Sequence, residues 1–112
     1  MIRAYRGIRP RIAASAYIDR SAQVIGDVEV GERSSIWPNV TARGDVNVIR
    51  IGDETNIQDN SVLHCDAGRF PLHIGDIVPF RGQTVGKRRS LVVQRRRREH
   101  GIRLKMGIGR MV

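Results

Sequence analysis

The sequence predicts an all-β chain wound as a parallel β-helix of hexapeptide repeats. Three observations predict it. An aliphatic or small residue returns every six positions, at Ile12, Ile18, Val24, Val30, Ile36 and Ala42, and again at Ile51, Ile57, Leu63 and Ile74. Four places beyond each beat stands a small or β-branched residue: Ala16, Ala22, Val28, Ser34, Val40, Val46, Thr55 and Ser61. The 112 residues include few rings (Tyr5, Tyr17, Trp37, Phe70 and Phe80), so the core has to be built from Ile, Val, Leu and small residues.

A period of six fits neither the 3.6-residue helix nor plain strand alternation over long runs. It fits triangular coils of three short strands, in which the beat residue points inward and stacks on its equivalents in neighbouring coils. The competing reading is an ordinary β-sandwich with chance spacing. In order along the chain, Ile12 to Ala42 keep the beat unbroken. A three-residue slip follows before Ile51, and an insertion separates Leu63 from Ile74. Polar pairs such as Gly26-Asp27, Glu32-Arg33 and Gly52-Asp53 mark the corners, where glycine tolerates unusual φ.

The length allows one globular unit. The charge divides it. Residues 1–76 hold nine Arg and no Lys against ten acids, net −1; residues 77–112 hold nine Arg and two Lys against Glu99, net +10. The organisation expected is a β-helix domain over 1–76 and a basic tail over 77–112, irregular or disordered. No apolar run approaches the roughly 18 residues of a membrane helix. The first residues lack the apolar core and cleavage site of a signal peptide. The single Cys65 excludes an internal disulfide framework and fits a reducing cytoplasm.

One stretch is too polar for a plain scaffold: Arg43-Gly44-Asp45, Asn56-Ile57-Gln58-Asp59 and His64. With Ile57 on the inward beat, Asn56 and Gln58 project outward. His64 follows the inward Leu63 and also faces away from the core. Arg43 and Asp45 flank Gly44 and are placed to pair across coils or between subunits. Taken singly, His64 reads as a surface histidine, and Arg43, Asp45 and Asp59 as an ion-paired face.

Taken together, Arg43-Gly44-Asp45, Ile51-Gly52, Thr55-Asn56-Ile57-Gln58-Asp59 and Ser61-Val62-Leu63-His64 resemble the gamma-class carbonic anhydrase family. So do Tyr5-Arg6-Gly7-Ile8-Arg9-Pro10 and Ser35-Ile36-Trp37-Pro38. The resemblance runs from about Ile2 to Asp76. It implies a left-handed parallel β-helix, a homotrimer, and a zinc (or iron) ion held by three histidines, two from one subunit and one from its neighbour. In that pattern His64 matches a metal ligand, Gln58 the glutamine that orients metal-bound hydroxide, and Asn56 an asparagine beside the site. Arg43, Asp45 and Asp59 match residues that knit the interface and position the site. The implied reaction is reversible hydration of carbon dioxide to bicarbonate. Zinc with an open fourth position lowers the pKa of its water to about 7.

After Ile74-Gly75-Asp76 the chain departs from the family. Counted without gaps, the two remaining histidine positions hold Gly82 and Lys87, and neither replaces an imidazole. His73 matches no family ligand, and His100 echoes the family's Leu-His-Gly motif thirteen residues too late. The resemblance therefore implies a carbonic anhydrase-like chain with an impaired metal site. The alternatives are a non-catalytic trimeric scaffold and a nucleic-acid binder working through Arg95-Arg96-Arg97-Arg98. Residues 77–112 read as a functional basic arm, as a solvated tail, or as an out-of-frame translation of the ordinary family C-terminus. The abrupt change of composition favours the last as origin.

Overall fold

A computed structural model describes residues 1–65, 70–86, 91–98 and 101–108, from residue 85 onward as backbone only. Its strands are β1 (Ile2–Arg3), β2 (Arg11–Ile12), β3 (Tyr17–Ile18), β4 (Gln23–Val30), β5 (Ser35–Ile36), β6 (Thr41–Ile51), β7 (Asn56–Ile57), β8 (Val62–Cys65), β9 (Leu72–Ile74), β10 (Pro79–Phe80), β11 (Gln83–Gly86), β12 (Leu91–Arg98) and β13 (Gly101–Ile108). Strands β1 to β11 pair in parallel as a β-solenoid of about four turns.

The pairing defines three sides. The first carries β1, the front of β4, the front of β6, β8 and β11; the second carries β2, the back of β4, the back of β6 and β9. The third carries β3, β5, β7 and β10. Each side has its inward ladder: Val24–Ala42–Leu63, Val30–Ile51–Ile74 and Ile36–Ile57–Phe80, all buried. Burying one such Ile or Leu contributes on the order of 2 kcal/mol relative to leaving it in water. Ile12 and Ile18, at the first coil, are half-buried against the same core.

The positions four beyond the beat do more than fit. Ser34 Oγ donates to Gly52 O at 2.6 Å and accepts the Thr55 N–H at 3.0 Å. Thr55 Oγ1 repeats the motif one coil on, donating to Gly75 O at 2.6 Å and accepting the Val78 N–H at 3.2 Å. These buried hydroxyls satisfy corner backbone groups that no strand ladder reaches.

Three expectations change. Val46 is 46% exposed and not in the core. Gly26 to Val28 in β4 matches Gly44 to Ile49 in β6, so the three-residue slip is an outward bulge at residues 45–48, and Ile49 takes the buried place instead. The solenoid also runs on past Asp76: β10 pairs with β7 and β11 with β8. Val78 and Phe80 still supply apolar inward side chains there. Finally, within the tail expected to be irregular, β12 and β13 pair antiparallel, Arg95 opposite Leu104 and Arg98 opposite Gly101. The aliphatic run Leu91-Val92-Val93 and the alternation Ile102-Arg103-Leu104 supply the strand propensity. The side chains of Arg95–Arg98, with Lys87 and His100, lie outside the described residues.

Candidate functional site

The glycine of Arg43-Gly44-Asp45 is set by backbone crowding. A Cβ on Gly44 would stand 2.4 Å from Asp27 O, and one on Gly26, whose φ is 76°, 2.4 Å from Gly44 O. Only glycine lets the two coils approach there. Arg43 and Asp45 leave this point on the outer surface and pair with each other, Nε to Oδ2 at 3.1 Å. The pair is thus made along one strand of one chain, where the sequence suggested a bridge between coils or subunits. Asp45 Oδ1 also accepts the Val46 N–H at 2.9 Å, which closes the start of the bulge. A cleft of about 270 Å³ opens here between Tyr5, Arg6 and Ile8 of the N-terminal turn and Asp45, Val46 and Asn47.

His64 is the register partner of Arg43 on the first side, and its ring leaves the core between buried Leu63 and Cys65. On the third side Asn56 is exposed, Ile57 fully buried and Gln58 half-buried, as the alternation required. Asp59 lies exposed on the corner that joins these sides, next to Asn60 with φ 63°. The fold therefore brings Arg43 and His64 together in one row and sets Asn56 and Gln58 on the adjoining side.

The residue beside His64 in the following coil is Val85. Ile57 to Val62 takes five residue steps, whereas their partners Phe80 to Gln83 take three. This shortened corner pulls Val85, and not Lys87, into register. Gly82 sits in the corner itself, its N–H donating to Ser61 Oγ at 3.2 Å. Among the described residues no three His, Cys, Asp or Glu side chains gather as ligands for an ion. The described residues do not fit a three-histidine metal site.

Two contributors entered the sequence reading only as part of the family resemblance, with no role at the site. Ser35 is the register partner of Asn56, and its Oγ hydrogen-bonds Asn56 Oδ1. Trp37 Nε1 donates to Ser35 Oγ at 2.9 Å. The signal was available, because Ser35 precedes Asn56 by one coil.

A larger groove, about 390 Å³, lies on the second side, away from these residues. There Arg11, Glu29, Arg50 and His73 form one row of register partners. Arg11 bonds Asp27 at 2.6 Å and Glu29 at 3.2 Å; Arg50 Nε bonds Glu29 at 3.0 Å. The Arg11 guanidinium first, and Arg50 with it, hold the Glu29 carboxyl below the usual 4.5. His73 Nε2 is sealed from solvent without a hydrogen-bond partner.

No family model matches the chain. It is 49% identical over 86 residues to the carbonic anhydrase of Geobacillus kaustophilus, covering 77% of this chain and 44% of the relative. It is 51% identical over 74 residues to the mitochondrial gamma carbonic anhydrase 1 of Arabidopsis thaliana, covering 62% and 27%. Among solved structures it is similar to a hexapeptide transferase family protein from Anaplasma phagocytophilum, with TM-score 0.66 and 36% identity over 72% of this chain and 47% of that one. The chain thus spans less than half the length of these relatives.

Proposed function

We propose that this chain, a member of the gamma carbonic anhydrase-like hexapeptide-repeat family, carries an incomplete form of a carbon dioxide hydration site. The observation that carries the reading is the outward row Arg43–His64 beside Asn56 and Gln58, on a fold whose relatives include named carbonic anhydrases.

In this reading Arg43, held by its pair with Asp45, presents its remaining guanidinium N–H groups to bicarbonate, a singly charged oxyanion, and Gln58 and Asn56 orient oxygen atoms of substrate through hydrogen bonds. The glutamine needs no charge for that role. His64 offers one imidazole. The family implies a metal ion, yet Val85 occupies the register place beside His64, so no step through a metal follows from these residues. A homotrimer is the assembly that the family suggests, and each copy adds the same single row. The mismatch favours a chain impaired in catalysis, with a non-catalytic trimeric scaffold as the second reading.

Stopped-flow measurement of carbon dioxide hydration, on the full chain with zinc or ferrous iron added, tests this. The expected rate is the uncatalysed one; saturable turnover comparable to that of the Geobacillus relative would overturn the impairment. Light scattering is expected to give three chains per particle.

A further inference from the structure

Trp37, Ser35 and Asn56 form a hydrogen-bond chain across two coils whose direction follows from donor chemistry alone. An indole N–H only donates. Trp37 Nε1, 2.9 Å from Ser35 Oγ, therefore takes a lone pair of that hydroxyl. The Ser35 proton then needs an acceptor. Ser35 is only 8% exposed, so a stranded hydroxyl proton there is costly. The neighbouring group is the Asn56 carboxamide. Were its NH2 turned to Ser35, the hydroxyl would face two N–H donors with no acceptor of its own. Its oxygen must face Ser35.

The geometry points to a positioning relay in which Trp37, acting through Ser35, holds Asn56 with its amide oxygen on the scaffold and its NH2 on the outer surface as a donor. The indole is fixed from the preceding coil as well. Tyr17, the register partner of Ser35, packs its ring on Trp37 with centroids 5.1 Å apart and planes at 44°. The Tyr17 hydroxyl is itself tied to Asp19 Oδ1 at 2.8 Å. Trp37 also precedes Gln58 in the outward row, its backbone N–H bonding Ile57 O at 3.0 Å.

Two consequences follow. The Asn56 carbonyl oxygen commits one lone pair to Ser35 and turns toward the scaffold, not the outer surface. The face beside Gln58 instead offers N–H donors to a partner with lone pairs, an oxyanion or carbonyl oxygen. Bicarbonate as that partner rests on the function proposed above; the relay does not.

The test is side-chain amide NMR on the full chain, the Asn56 NH2 pair being assigned by its loss in Asn56→Asp. The relay predicts a weaker nuclear Overhauser contact from the Asn56 NH2 protons to the Ser35 β protons in the unsubstituted chain than in Trp37→Phe. Trp37→Phe, which keeps a ring but removes the donor, is expected to shift the pair and strengthen that contact. Ser35→Ala is expected to shift the pair as well, and Ser35→Thr, which keeps the hydroxyl, to restore the original spectrum. A contact as strong in the unsubstituted chain as in Trp37→Phe would overturn the relay, as would an Asn56 pair unmoved by Trp37→Phe. A correctly oriented amide whose signals ignore added bicarbonate upholds the relay and counts against the carbon dioxide reading.

Discussion

The Asp53 carboxylate accepts the backbone N–H of Glu32 in the coil before it, at 2.7 Å, and Asp76 does the same for Asp53 at 2.8 Å. The glycines preceding these residues make room for the reach. A Cβ on Gly52 would stand 2.3 Å from Asp76 Oδ1 and 2.8 Å from the Gly75 carbonyl, contacts that force backbone apart. Gly52→Ala is therefore expected to destabilise the chain by about 1–3 kcal/mol, the scale of overpacking. Asp53→Asn, which keeps the acceptor, is expected to cost less. Urea unfolding followed by circular dichroism measures both.

Thr55 separates hydrogen bonding from shape. Thr55→Val keeps the volume but leaves the Gly75 carbonyl and the Val78 N–H without their partner in a buried corner. A cost of about 2–4 kcal/mol is expected from two stranded backbone groups, with Thr55→Ser near neutral. A loss for Thr55→Ser as large as that for Thr55→Val would mean that the methyl group contributes as much as the hydrogen bonds.

Ile77 occupies a corner with φ 55°, a place taken by Arg33 and Glu54 in earlier coils at 54° and 52°. A β-branched side chain is poorly suited to the left-handed region, whereas asparagine enters it readily. Ile77→Asn is expected to stabilise the chain by about 1 kcal/mol. A fall in the unfolding midpoint would show that the half-buried isoleucine contributes more by packing than it loses by strain.

Acid is expected to weaken the solenoid through its outward rows. The Glu29 carboxyl is held below 4.5 by Arg11 and then Arg50; Asp19 is held below 3.8 by the Ser21 hydroxyl, then the Ser21 N–H and the Tyr17 hydroxyl. A depressed carboxylate stabilises the fold above its unfolded pKa, and that contribution disappears as pH falls through the lower, folded value. Stability is thus expected to decline from about pH 4.5 downward. Glu29→Gln should lower the Tm at pH 7 slightly and flatten the decline, and added salt should shrink the difference because these groups are exposed. Parallel Tm-against-pH curves for the two chains would contradict the assignment.

Much of the fold was legible because a solenoid writes its geometry into a local repeat: one inward residue per side, in register with the coil before. Ile57 and Leu63 were readable as core for that reason, and Asn56, Gln58 and His64 as outward. Val46 was misplaced because an insertion preserves the look of the repeat while moving the side chain to solvent. Phe80 hid the continuing beat, since a ring stands where aliphatics had stood. The Val85 register depends on a shortened corner, which counting along a sequence does not reveal. The Trp37–Ser35–Asn56 chain joins separate coils, and its direction needs atomic contacts.

Among the described residues, one imidazole, His64, stands in its outward row without the neighbours a tight metal site needs. Equilibrium zinc titration of the purified full chain against a competing chelator tests it most directly. Binding weaker than about 1 μM is expected, unaltered by His73→Ala and improved by Val85→His, since structural or catalytic zinc sites need three or four protein ligands. One zinc per chain, held at nanomolar affinity and released by His64→Ala, would contradict it.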